Sequence, residues 1–149
     1  TAIDALAARH ALPQPVRLGA LRPDERPAIV LGDRVGVLAR LYGSGGMAQV
    51  GGGFGAAGIH SVLEPAAWAL PVVIGPRDRG SRDAAMLRTA GGLVTLPTDG
   101  AVERLVAIWS SWLANPSDAA ALGECNRAAL EGERGAAVRS AALLDSILR

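Results

Sequence analysis

The chain has no lysine: all 15 basic Lys/Arg positions are arginine, set against 14 acidic residues for a formal net charge of +1. Arginines interspersed with Asp and Glu, and aromatics at only 3%, make neither a continuous basic face nor a stacking platform, so no nucleic-acid partner is expected. The missing lysine, alongside abundant alanine, reflects codon bias rather than chemistry. A lone cysteine, Cys125, excludes an internal disulfide; in its Ala-rich, helical surroundings it reads as a buried structural thiol, and a reducing compartment is permitted. No apolar run approaches the roughly 20 residues that span a bilayer, and no basic segment followed by a hydrophobic one marks a signal peptide. The chain therefore reads as soluble. Two histidines and one cysteine, far apart in sequence, lack ligand spacing, so neither a metal nor a cofactor is expected.

What is present is a core: 50% of the 149 residues are hydrophobic, enough for a globular α/β domain. The chain opens without methionine, and Ile3, Leu6 and Ala7 share one helical face that Pro13 ends, as if a helix were already under way. Short apolar runs at 16–19, 28–31, 47–50, 71–74 and 93–96 read as strands. Between them, Val35, Leu38, Leu41 and Tyr42 mark one helix, and residues 81–89 another that Gly91 and Gly92 stop. Asp33 is placed to cap the first of these. Asp99 is placed to cap a long helix whose Val102, Leu105, Val106, Ile108, Trp109, Trp112 and Leu113 form a wide apolar face. Ser117 is placed to cap a helix over 118–131, and 135–148 reads as a terminal helix. Strands alternating with helices from about residue 16 to 114 predict a Rossmann-like doubly wound parallel sheet with helices on both faces. On this reading residues 1–115 form a ligand-binding domain incomplete at its start, and 116–149 a helical appendage.

The stretch from Gly51 to Pro76, GGGFGAAGIHSVLEPAAWALPVVIGP, is the candidate site. It packs five glycines into eight residues directly after a strand and leads into an amphipathic segment near His60, a strand, glycine turn and helix start suited to a phosphate or carboxylate. A second strand ends at Gly75-Pro76, so two strand ends and a helix start converge, where open α/β sheets bind ligands. Ser61 and Glu64 also fit an S-x-x-E capping box, with Pro65 tolerated in the first turn, and that reading makes both residues structural. Gly53, Gly55 and Gly58 fit G-x-G-x-x-G, with Asp78 about 20 residues on as a ribose ligand of NAD, but that fingerprint usually opens its fold and here at least one strand precedes it.

A third reading takes the whole stretch. Gly51-Gly52-Gly53-Phe54, then Gly58-Ile59-His60-Ser61-x-Leu63-Glu64-Pro65-Ala66-Ala67, then Pro71-Val72 and Gly75-Pro76, resembles the donor-binding half of the 3-deoxy-D-manno-octulosonic acid (Kdo) transferases of lipopolysaccharide synthesis. Leu31-Gly32-Asp33 with Gly36, Leu38 and Leu41-Tyr42 upstream, and Ala90-Gly91-Gly92 downstream, extend the likeness over about residues 28–115. The resemblance implies one domain of a glycosyltransferase B architecture, moving Kdo from CMP-Kdo to a lipid A precursor by direct displacement. It implies donor contacts from Gly52, Gly53 and Gly58 in the turn, His60 toward the sugar or carboxylate, Ser61 at the phosphate, Glu64 on the ribose, and Gly75 and Pro76 around the cytosine, with Arg77 able to offset negative charge. Many members carry asparagine where this chain has Ser61, and a hydroxyl offers one donor where an amide offers two. The family's general base lies in its N-terminal domain, so the resemblance places it, with acceptor binding and some central strands, upstream of Thr1. A catalytic residue is therefore expected nowhere in this chain, which alone should not turn over and should leave a sheet edge to be covered. The full protein is expected to be peripheral on the cytoplasmic face of the inner membrane. Another sugar-nucleotide transferase or epimerase, or an NAD-binding oxidoreductase domain, is the alternative.

Overall fold

The computed structural model describes residues 2–148, in two units, Thr1–Leu41 and Tyr42–Arg149. In the first unit, helix α1 (Ala2–Arg9) ends as Ala11 turns into the left-handed region, with Leu12 N–H donating to the Ala7 carbonyl at 2.9 Å. Strand β1 (Val16–Arg17) pairs in parallel with β2 (Val30–Leu31). Asp33 does not cap the helix that follows it. Its carboxylate accepts from the Gly19 amide at 3.2 Å and lies 3.9 Å from Arg17, so it fastens the turn after β1. The predicted helix with Val35 shrinks to one turn, α2 (Leu38–Leu41), because Gly36 adopts φ 80° and leaves Val35 in solvent. Tyr42 falls in the 3-10 turn Tyr42–Ser44.

The second unit is built on β3 (Ala48–Gln49), β4 (Val72–Ile74) and β5 (Leu93–Thr95), all parallel in the order β3-β4-β5. Parallel pairing is as expected, but the strands are shorter than their apolar runs and divide into two separate sheets. All three β4 residues are buried, as a strand covered on both faces must be. Side chains alternate along it: Val72 and Ile74 meet Val62 and Ala66 of the α3 region (helix Leu63–Ala67) and Ala84 and Leu87 of α4 (Arg82–Ala90). Val73 faces the other way, onto Ile108 and Trp112 of α5 (Ala101–Ala114). Helix α4 starts and stops as its sequence reads, with Ser81 Oγ accepting from the Ala84 amide at 3.2 Å and Gly91 closing it.

Three expectations fail here. Gly100, in the left-handed region, takes the cap position of α5, so Asp99 caps nothing. The wide apolar face of α5 is only partly covered, with Val102, Val106 and Leu113 exposed, since its turns toward the sheet are those of Ile108 and Trp112. Helix α6 (Pro116–Gly132) begins at its proline with Asn115 before it, which puts Ser117 inside the first turn; proline there forfeits no intrahelical bond.

Helix α6 belongs to the packing of the second unit. Ala119 and Leu122 join the Val73 side of the sheet and Ala129 and Leu130 the Val72 side, so the helix passes from one face to the other. It crosses at the amino ends of the strands, where the fully buried Asn126 donates from Nδ2 to the carbonyls of Leu70 (2.9 Å) and Gly92 (2.8 Å). Gly123 permits this approach: a Cβ there would lie 1.8 Å from the Ala69 oxygen. Cys125, read as buried, is exposed, because its neighbour Asn126 takes the inward direction and adjacent helix positions point about 100° apart. Helix α7 (Ala136–Leu148) follows.

Candidate functional site

At the opposite, carboxyl end of the sheet the glycine stretch folds as a hairpin. Gly53 N–H donates to the Gly58 carbonyl at 2.8 Å, His60 N–H to the Gly51 carbonyl at 3.2 Å, and Gly52 and Ile59 form an antiparallel bridge. The hairpin meets the end of β4 backbone to backbone, with Ile59 packed on the core beside it. A Cβ on Gly75 would stand 2.7 Å from the Gly53 carbonyl carbon, and one on Gly53 2.9 Å from the Gly75 Cα. Such distances admit only glycine at both places. Arg77 N–H seals the contact by donating to the Gly53 carbonyl at 2.9 Å.

This differs from the strand, turn and helix read from the sequence. The five-residue helix α3 starts at Leu63, and Val62, already helical in φ and ψ, occupies its cap position without a side-chain bond. The S-x-x-E capping box therefore does not form. Burial of Val62 and Pro65 anchors the helix start instead, and neither Ser61 nor Glu64 engages a side-chain hydrogen bond among the described residues.

A cavity of about 250 Å³ opens beside the hairpin. Gly58, Ile59, His60 and Ser61 line it from the hairpin exit, and Asp78, Arg79, Ser81 and Asp83 from the loop after β4 and the first turn of α4. Of the residues singled out in the sequence, Gly58, His60 and Ser61 thus face one opening, while Gly52, Gly53 and Gly75 form the backbone joint behind it. Pro76 and Arg77 continue from that joint. Glu64 is exposed and outside the lining. It stands near Tyr42, whose hydroxyl is pushed above its ordinary pKa first by burial and then by the Glu64 charge.

The loop after β4 carries what the sequence did not disclose. Asp78 accepts from Arg88 at 2.6 Å and from the Gly80 amide at 3.0 Å, and these bonds, Arg88's first, hold its carboxyl below the usual range. Arg88 also donates to Thr95 Oγ1 at 3.2 Å, tying the loop to β5. An Asp78 so committed is poorly placed as a ribose ligand, and Gly53 and Gly58 pair within a hairpin instead of opening a helix, so the NAD fingerprint has no geometric counterpart. Next to it Arg79, at φ 52°, donates from Nη2 to the Ala56 carbonyl across the hairpin. An ion pair between residues 10 apart and a side-chain hydrogen bond between residues 23 apart carry no periodic signature, so no pattern in the sequence announces them. Among the described residues no group of three or more His, Cys, Asp or Glu is arranged to hold a metal ion.

A parallel sheet covered on both faces, with a glycine hairpin and a cavity at the carboxyl ends of its strands, defines a Rossmann-like α/β ligand-binding domain. No family model matches the chain. Among curated proteins it is 30% identical over 131 residues to the 3-deoxy-D-manno-octulosonic acid transferase of Bordetella pertussis, covering 87% of this chain and 30% of that protein. It is 31% identical over 128 residues to the transferase of the same name from Haemophilus influenzae (85% of this chain, 29% of that protein). A 48-residue segment is 48% identical to that of Aquifex aeolicus, covering 32% of this chain and 14% of the relative. Among solved structures, the C-terminal CMP-Kdo binding domain of WaaA from Acinetobacter baumannii matches with a TM-score of 0.72 at 21% identity, over 85% of this chain and 65% of that one. The chain is therefore homologous to the Kdo transferases, and its fold is that of their C-terminal half in the glycosyltransferase B arrangement. It spans about 30% of the length of the Bordetella pertussis and Haemophilus influenzae transferases.

Proposed function

We propose that this chain is the donor-binding domain of a Kdo transferase and holds CMP-Kdo at the cavity beside the glycine hairpin. The observation that carries the reading is the backbone joint of Gly53 and Gly75, beside which the hairpin exit at 58–61 and the loop at 78–83 that follows β4 line one opening at the carboxyl end of the sheet. The homology to Kdo transferases supports the choice of donor. Gly52, Gly53 and Gly58 shape the floor, exposed amides and Ser61 meet the phosphate, and His60 faces the sugar or its carboxylate. None of Gly75, Pro76, Arg77 and Glu64 lines the cavity itself, so on this reading the donor extends beyond it, its base toward Gly75 and Pro76, with Arg77 offsetting negative charge, and its ribose hydroxyls toward Glu64 of α3.

In the whole enzyme an acceptor hydroxyl on a lipid A precursor attacks the anomeric carbon as CMP leaves. The contribution of this half is electrostatic: donors fixed before reaction meet the charge that develops on the departing phosphate. No helix of the described residues is long and apolar enough to cross a membrane. We assign the whole enzyme to the cytoplasmic face of the inner membrane, where it would meet its acceptor as a peripheral protein.

Thermal unfolding with CMP, UDP and NAD tests the reading. CMP at 100 times its dissociation constant adds about 2.7 kcal/mol, or about 5–10 °C in a chain of this size. A shift with UDP or NAD but none with CMP would overturn it.

A further inference from the structure

We propose that Arg79 is the positioning residue of the glycine hairpin, holding it in the form that accepts an anionic donor; this rests on the donor-site reading above. The hairpin tip, from Phe54 to Ala57, is exposed and contributes nothing to the core. Among the described residues, the one side-chain hydrogen bond that reaches residues 51–62 is that of Arg79 to the Ala56 carbonyl. The same side chain lies across Gly58. A Cβ on Gly58 would meet Arg79 Cδ at 2.9 Å and Cγ at 3.2 Å, so the aliphatic stem covers Gly58 while the guanidinium grips the tip.

The root of this clasp is itself fixed. Asp78, one residue earlier, is tied to Arg88 at 2.6 Å and to the Gly80 amide at 3.0 Å, and Arg88 is tied in turn to Thr95 on β5. Arg79 sits in the left-handed region at φ 52°, followed by Gly80 at φ 69°, and this tight turn is what aims it at the hairpin. A non-glycine residue there is uncommon and is held by its surroundings. Arg79 also lines the cavity. One Nη2 donor is spent on Ala56, and a guanidinium carries five N–H donors, leaving others for a phosphate or carboxylate. The arrangement couples the two events: an anion that recruits the spare donors fixes the guanidinium further, and a fixed guanidinium fixes the hairpin.

Amide hydrogen exchange of the free 149-residue chain, compared between wild type, Arg79→Ala and Arg79→Lys, tests the clasp, with titration of CMP as the ligand arm. In Arg79→Ala the Gly53 and His60 amides, which close the hairpin, should exchange about fivefold faster while those of β4 keep their protection. CMP should bind about tenfold more weakly, and Arg79→Lys, with charge but no planar fork, should recover part of the affinity and little of the protection. Unchanged exchange in Arg79→Ala would overturn the clasp even if CMP binding falls. Faster exchange with unchanged CMP affinity would overturn the link to the donor. Wild type that binds no CMP would sink the donor-site reading and the ligand half of this inference with it, while the exchange data still decide the clasp.

Discussion

Substituting Gly75 by alanine moves the hairpin without touching the core. A Cβ at this position would lie 2.7 Å from the Gly53 carbonyl carbon and 2.9 Å from the oxygens of Gly52 and Gly53, all backbone atoms that cannot rotate aside. Ordinary van der Waals contact begins near 3.4 Å, so the hairpin must retreat by about 0.7 Å. The 2.9 Å bond from Arg77 N–H to the Gly53 carbonyl then stretches to about 3.6 Å and is lost. Its loss costs about 1 kcal/mol, or about 2–4 °C in Tm, since Val72, Val73 and Ile74 stay buried. Donor binding should suffer more, because the amides at the cavity move together by a distance that ruins hydrogen-bond geometry; a tenfold or greater loss of CMP affinity is expected. Isothermal titration with CMP beside thermal unfolding measures both, and Gly46→Ala, with no atom near its added methyl, serves as the neutral control. Gly75→Ala that binds CMP within twofold of wild type, or that fails to fold, would mean that the Gly53–Gly75 joint does not fix the amides at the cavity independently of the core.

Asn126→Ala removes two buried hydrogen bonds and leaves the Leu70 carbonyl without that partner, a loss of about 2–3 kcal/mol that chemical denaturation should register with CMP affinity of the folded protein unchanged. Asp78 has a folded pKa below its unfolded value of about 3.9, so the Arg88 pair stabilises above that value and its contribution disappears as pH falls through the folded one. Denaturation curves of wild type and Asp78→Asn should accordingly differ at pH 7 and converge in strong acid; a constant difference would contradict the pairing. Glu64→Ala should weaken CMP binding with the fold retained, and because the Glu64 charge raises the Tyr42 pKa, the same variant should lower the pH at which Tyr42 ionises in an absorbance titration.

How much of this was legible depended on whether the force at work leaves a period in the sequence. Val72, Val73 and Ile74 could be read as a strand because burial on both faces demands an unbroken apolar run. Ser81 and Gly91 could be read as helix ends because each acts on neighbours three or four residues away. The glycines mark a stretch that borders a cavity, but they do not disclose the shape of its backbone. The same run suits a turn into a helix or a hairpin, and what selects the hairpin is the contact of Gly53 with Gly75, which are 22 positions apart. Asp33 and Asp99 look like caps by spacing, yet one is drawn to Gly19 and Arg17 and the other is displaced by Gly100. Asn126 reads as an ordinary polar position on a helix until the carbonyls of Leu70 and Gly92 are brought to it. Arg79 and the Asp78–Arg88 pair are of the same kind.

The route of α6 bears on how the protein is born. A ribosome releases the three strands of the second unit before it releases Asn126, so during synthesis the Leu70 carbonyl waits in water for the Asn126 donor, and the Gly92 carbonyl, paired with the Val72 amide, waits for its second. Until then the lower rim of the sheet is open on both sides. Nascent chains halted before residue 116 should be protease-sensitive and bound by chaperones, and the transition to a resistant form should fall as the segment through Gly132 clears the exit tunnel.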